Sequence, residues 1–365
     1  MSAAGAERTQ SAAGADRTLC AAGAEPGVSA AVDAAPKPAA PPPRFTPAHL
    51  LTGFLGSGKT TLLRRMLSDP ALAGAAVLIN EFGEVGLDHD LLERIDETTV
   101  LLQSGCLCCT IRGELADAVR GLLDRRESGA IPAFDRLVIE STGLADPFPI
   151  LSTLRADPIA SQHFRIGATI ATVDAVNGAA GLAHRAELRR QVAAADRIVL
   201  TKSDLVAPEA ASALLARLAA LNPAAVVRDA HDPACAPGWL IADADASPRD
   251  AVAPDHAHAH GVGAVAFAIE PQGAVDWTAF GVWLSMLLNR HGDGILRVKG
   301  ILAIDGEDAP VAVHGVQRLV HAPTHMAAWP DGRRASRLVF IVEGIDPQAV
   351  RRSFACFVGG GRGVG

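Results

Sequence analysis

From Thr46 onward the chain alternates short apolar runs with stretches whose apolar residues recur at helical spacing. Apolar, often β-branched runs bounded by turn formers read as buried strands, and the i, i+3, i+4 pattern reads as helices. Strands are expected at "AHLLTG" (48–53), "AAVLIN" (75–80), "FDRLVIES" (134–141), "ATIATVDA" (168–175), "RIVLTKSD" (197–204) and "AVVRDA" (225–230). Helices are expected between them at "KTTLLRRMLSD" (59–69), "GELADAVRGLLDRRE" (113–127), "ELRRQVAAAD" (187–196) and "PEAASALLARLAALN" (208–222), the last stopped by Pro223. Such alternation predicts an α/β fold over residues 46–230, with a doubly wound, mostly parallel sheet.

The pattern then breaks. Residues 231–261 are polar, rich in Pro and Asp, and contain "DHAHAHG", so they read as a linker. A smaller α+β domain follows over 262–357: a strand at 261–270, a helix at 275–292, strands at 295–305, 311–321 and 336–345, and a closing helix at 346–357 with Asp346 as its cap. The glycine-rich end, 358–365, is expected to fray. At the other end, residues 1–45 hold a near-repeat ("SAAGAERTQ", "SAAGADRTL") and close on "APKPAAPPPR". Ala, Gly and Pro without large apolar residues bury too little surface to offset the entropy of ordering, so disorder is expected there.

Composition narrows the function. The 365 residues carry a net charge of −7, 4% aromatics and no Tyr, a poor balance for nucleic acid. No apolar run reaches the roughly 18 residues of a membrane-spanning helix, and no basic-then-apolar leader is read at the N-terminus. The six cysteines form no disulfide framework, which makes a reducing cytoplasm the expected location.

The chemistry lies in the loops. "GFLGSGKT", Gly53 to Thr60, fills every fixed position of the P-loop pattern and sits between an expected strand and helix. Gly53, Gly56, Ser57 and Gly58 let backbone N–H groups turn toward phosphates. Lys59 supplies a point charge near the β and γ phosphates. The Thr60 hydroxyl suits Mg²⁺, and Thr61 beside it, in the first turn of a helix whose N-terminus favours anions, is counted among the nucleotide-binding residues. Glu140, at the end of "RLVIE", is placed to hold that metal through water or to position an attacking water. Glu81, in "NEFGEVGLD", is a candidate switch residue that senses the γ phosphate or binds a metal. "TKSD", Thr201 to Asp204, ends another strand. The Asp204 carboxylate can accept from N1–H and the exocyclic amine of guanine, a donor pair adenine lacks, while the Lys202 stem lies along the base.

Half of the cysteines crowd into "SGCLCCT". Cys106, Cys108 and Cys109 are soft thiolate donors suited to Zn²⁺, with Co²⁺ or Cu⁺ as competitors, and three ligands leave a tetrahedral position open; buried inert thiols or a redox pair are the alternatives. Cys20, Cys235 and Cys356 stand alone and read as incidental. His256, His258 and His260 alternate in the linker, where extended backbone lets all three imidazoles point one way as a metal-collecting arm or leaves them as parts of a polar spacer.

These motifs, in the order "GFLGSGKTTLL", "NEFGEVGLD", "SGCLCCT", "ESTG", "TKSD", together with "RVKGIL" and "GVQRLVH" near the end, resemble the CobW-like metal-handling GTPases of the P-loop class, from about Pro47 to Phe357. The resemblance implies GTP with Mg²⁺ as the nucleotide cofactors, Thr201 as an accepted first residue of the base motif, and Glu140 as the glutamate of the second phosphate-site motif. It implies that Cys106, Cys108 and Cys109 bind a cargo ion, zinc or cobalt, destined for a client metalloenzyme. A homodimer is left open. Two other readings stay open on the residues alone: a zinc buffer that ignores nucleotide, and a small-molecule kinase.

Overall fold

The computed structural model describes residues 45–81, 99–103, 111–242, 263–330 and 332–359. The expected disorder of residues 1–45 therefore falls almost wholly outside the described residues, as does the expected fraying of all but the first two residues of 358–365.

β1 (Thr46–Gly53) leads into α1 (Lys59–Leu67), and β2 (Ala75–Glu81), β3 (Thr99–Gln103), α2 (Ile111–Glu127) and β4 (Arg136–Glu140) follow. Next come α3 (Pro147–Ala156), the single turn α4 (Ala160–His163), the long β5 (Phe164–Asp174), α5 (Gly178–His184), α6 (Ala186–Ala194) and β6 (Arg197–Thr201). α7 (Pro208–Leu221), β7 (Val226–Asp229) and α8 (Pro237–Ile241) complete this part. The seven strands form one parallel sheet in the order β3-β2-β4-β1-β5-β6-β7. Because helices cover both faces, the strands are apolar nearly throughout rather than alternating. Ala48 and Leu50 of β1 pack with Leu115, Val119 and Leu122 of α2 and with Leu151 of α3, whereas Leu51 points the other way onto Leu63 and Met66 of α1.

The second sheet is antiparallel: β8 (Ala264–Ile269), then α9 (Trp277–His291), β9 (Ile295–Leu302), β10 (Val311–Val316), β11 (Leu319–Val320), β12 (Thr324–His325), β13 (Arg337–Glu343) and α10 (Pro347–Phe357). The order is β11-β10-β9-β13-β8, with β12 also on β10. One face packs on α9 and α10 around Trp283, whose ring meets Phe354 edge-on at 5.0 Å and Phe340 at 6.0 Å. Asp346 caps α10 as expected, accepting from Gln348 N at 2.9 Å.

The other face of this sheet rests on the first part. Ala266, Leu296 and Ile341 pack on Ala193 of α6. Around that apolar patch run polar ties. Arg297 donates to Ala194 O and to Asp196, and Lys299 Nζ lies 3.7 Å from the same carboxylate. Arg189 of α6 grips Glu343 Oε1 at 2.7 Å. Gln317 Nε2 donates to both oxygens of Asp146 at 3.0 and 3.3 Å.

Several elements depart from the sequence expectation. "VAVHGVQRLVH" is two strands, not one, because Gln317 turns the chain with φ 50. Residues 231–242, expected in a loose linker, fold back: Cys235, Leu240 and Ile241 fill the core beneath α1. α3, α4, α5, α8, β3 and β12 are additions to the expected elements. α3 opens on "PFP", which reads as a loop, yet Asp146 caps it by accepting from Phe148 N, and Pro at the first helical position lacks only an N–H the helix leaves orphaned.

Candidate nucleotide site

In a parallel sheet, ligands sit outside the carboxyl ends of the strands. The ends of β1, β4, β5 and β6 bring the expected residues together there, around a cavity of ≈ 400 Å³ whose lining includes Gly56, Lys59, Thr60, Glu140, Gly143 and Lys202. Thr61 also lines it.

The loop after β1 owes its shape to local physics. Gly58 caps α1 in the left-handed region at φ 87, a conformation that penalises any side chain. The Ser57 and Thr172 hydroxyls share a hydrogen bond of 2.6 Å, and Thr201 Oγ1 donates to Ser57 O at 2.8 Å. Thr201, read from sequence as part of the base motif, is buried, and its hydroxyl is spent holding the phosphate loop to β6. Gly53 closes β1 beside Thr172. Lys59 Nζ donates to Phe54 O at 3.2 Å, so the ammonium curls over its own loop, next to the cavity.

Thr60 Oγ1 donates to Glu140 Oε1 at 2.9 Å across the floor of the cavity. A hydroxyl and a carboxylate held this close are hard oxygen donors of the kind Mg²⁺ takes alongside phosphate and water. Main-chain turns, a lysine and this pair together fit a nucleotide triphosphate with its Mg²⁺.

Lys202, at φ 56, starts the turn Ser203–Leu205 and donates to Asp174 Oδ2 at 2.7 Å. Burial alone would push the Asp174 carboxyl up, but bonds from Lys202, Asn177 and Val176 N hold it below its ordinary value. Asp204 lies on that turn with an exposed side chain. Sequence reading missed Asp174, since an Asp ending a strand looks like any turn former. It also missed why Gly143 is glycine: a Cβ there would stand 2.6 Å from Leu55 N and 2.8 Å from Leu55 Cα, backbone of the phosphate loop. The "ESTG" string carried that signal.

Other expected site residues lie outside the described residues: Cys106, Cys108, Cys109, His256, His258 and His260. Glu81 is described in backbone only, as the last residue of β2. The chain enters the cysteine segment from Gln103, which is in register with Glu81, and leaves it into α2 at Ile111. Among the described residues no group of three or more His, Cys, Asp or Glu could hold a metal ion, and no helix is long and apolar enough to cross a membrane.

A parallel sheet with a glycine-turned phosphate loop between its β1 and α1, a lysine on that loop and a Thr–carboxylate pair beneath it defines a P-loop nucleotide-binding protein. The chain belongs to the CobW family: the CobW/HypB/UreG nucleotide-binding domain matches residues 47–228, and the cobalamin synthesis protein cobW C-terminal domain matches 264–358. It is 37% identical over 311 residues to the zinc chaperone YjiA of Escherichia coli, covering 84% of this chain and 96% of that one. It is 31% identical over 345 residues to the zinc chaperone CobW of Pseudomonas aeruginosa, covering 83% and 89%. The Zn(II)-bound YjiA GTPase from E. coli superposes with a TM-score of 0.64 at 31% identity, over 86% of this chain and 99% of that one.

Proposed function

We propose that this chain is a GTP-binding and GTP-hydrolysing metallochaperone of the cytoplasm, which carries zinc on Cys106, Cys108 and Cys109 and delivers it to a client metalloprotein. The observation that carries the reading is the Thr60–Glu140 pair set against Lys59 in the phosphate cavity. The zinc chaperones among its relatives support the cargo. Cobalt is the competing ion.

In this reading the triphosphate lies in the loop from Gly53 to Thr60, and Lys59 leaves Phe54 O for the β and γ oxygens. Thr60 and Glu140, the latter through water, would hold Mg²⁺, which neutralises charge on those oxygens. Glu140 also orients the attacking water. Asp204 reads guanine. No arginine lines the cavity among the described residues, so the chain alone is expected to hydrolyse slowly. The link from nucleotide to cargo runs through neighbouring strands: Glu81 ends β2 in register with Gln103 of β3, three residues before Cys106. A γ phosphate sensed at Glu81 thereby biases the cysteine geometry between holding and releasing the ion.

The test is zinc and cobalt affinity of the reduced protein by chelator competition, in three states: without nucleotide, with GDP and Mg²⁺, and with a non-hydrolysable GTP analogue and Mg²⁺. Coupling requires differential affinity, and a change of at least tenfold, about 1.4 kcal/mol, is expected with the analogue. Equal affinity in all states would separate the two sites and return the zinc-buffer reading.

A further inference from the structure

One histidine outside the motifs stands at the guanine end of the site. β7 neighbours β6 in the sheet, with Asp229 in register with Leu200, so the loop after β7 runs beside the turn that carries Asp204. His231 lies on that loop. Its backbone N donates to Asp229 Oδ1 at 2.8 Å, which fixes the loop as an Asx turn. Its ring Nδ1 is 3.0 Å from the same Asp229 oxygen and 3.3 Å from Ser203 Oγ. The other ring nitrogen, Nε2, faces Asp204 Oδ1 at 3.8 Å. The imidazole thus stands between two carboxylates, one anchoring it and the other being the residue read as the guanine acceptor. Asp229 is held as an anion: burial would raise its carboxyl, but bonds from Ser203 and His231 bring it below its ordinary value.

Resting on the reading of Asp204 as the guanine acceptor, we propose that His231 is a positioning residue for base recognition, holding the Asp204 carboxylate in the orientation that accepts from guanine N1–H and the exocyclic amine. A carboxylate on an exposed turn has a free χ1 and loses rotamer entropy when a base binds. A side chain anchored from a neighbouring strand end lowers that cost beforehand, and His231, tied through Asp229 to β7, is so anchored. At 3.8 Å the ring Nε2 lies beyond hydrogen-bond reach of Asp204 Oδ1, so the imidazole limits where the Asp204 side chain can swing without taking the lone pairs that the base needs.

The experiment measures dissociation constants of GDP, IDP and ADP with Mg²⁺ for the full chain and for His231→Ala, His231→Gln and Asp204→Ala. IDP lacks the exocyclic amine, and ADP lacks both donors. The wild type is expected to rank GDP over IDP over ADP. His231→Ala should weaken GDP about tenfold, leave ADP within about twofold, and so compress the GDP-to-IDP ratio; His231→Gln, which keeps a donor, should recover part of it. A purely structural role would weaken all three nucleotides alike, and that result overturns the proposal. If Asp204→Ala erases base preference while His231→Ala preserves it, His231 has no part and the guanine reading stands. If the wild type itself shows no base preference, the reading of Asp204 fails, and the proposal with it.

Discussion

Asp196→Asn tests the joint between the two sheets. The Asp196 side chain is 13% exposed and faces Arg297 and Lys299, whose side chains are 5% and 4% exposed. Its second oxygen accepts from Thr169 N at 2.9 Å. Asparagine keeps the volume and the Thr169 bond but leaves two buried cations without a counter-charge. Attraction at the 3.7 Å between Lys299 and Asp196 amounts to about 4 kcal/mol at an effective dielectric of about 20. Stripping one partner from a buried ion pair costs about 3–5 kcal/mol. Burial already lowers the Lys299 pKa, so the lysine can shed its proton when Asp196 is gone, which places the expected loss near the lower end, about 3 kcal/mol. Urea unfolding at neutral pH reads this as a fall in midpoint at unchanged m-value. Arg297→Met in the Asp196→Asn background should recover a good part of the loss, because the guanidinium, unlike Lys299, cannot lose its proton. A loss below about 1 kcal/mol, or no recovery in the double variant, would refute the reasoning, because the cost would not come from the unpaired charge.

Two other outcomes follow. Burial and the nearby Lys299 push His314 down to about 3, and burial pushes His321 down to about 4. Both are neutral when folded, while the unfolded chain protonates near 6.5, so the unfolded state binds more protons and stability falls as pH drops from about 6.5 toward those values. The loss at pH 5 is at most about 2 kcal/mol per histidine, and replacing both by Gln should flatten the urea midpoint between pH 7 and 5; an unchanged slope there would assign the acid sensitivity elsewhere. The depressed Asp174 and Asp196 contribute a separate loss only below their unfolded pKa of about 3.9. Gly143→Ala forces a Cβ against the Leu55 backbone, so GDP affinity measured by calorimetry should fall at least tenfold with only a modest change in melting temperature; wild-type affinity would mean the loop yields freely.

How much of this was legible in the sequence depended on distance along the chain. The phosphate loop announced itself because strand, glycines, Lys59 and helix are contiguous, and Thr60 and Glu140 were each nominated from their own segments. That they serve one metal was an inference from motif roles; that they meet directly at 2.9 Å was not, because sequence alone supplies no distance. Asp174 stayed hidden because its partner Lys202 is 28 residues away and neither residue marks the pairing. Gln317 stayed hidden because an apolar run reads straight through it: nothing local says that a buried glutamine will take a left-handed turn to reach Asp146, 171 residues earlier. β3 carries only five residues, too few to show a period before the cysteine segment.

The joint has a consequence for the exchange of parts. Two family matches divide the chain as if it were two interchangeable parts. Yet the first part offers Asp146, Arg189 and Asp196, and the second answers with Gln317, Glu343 and the pair Arg297 and Lys299. That sequence of acceptor, cation and anion works like the cuts of a key. A C-terminal half borrowed from a relative fits this joint where it repeats the same pattern in the same places, and a missing Glu343 or Arg297 would strand the charge of Arg189 or Asp196. Exchanging one half without the other would therefore leave Asp146, Arg189 or Asp196 without its partner wherever the new half lacks the matching residue.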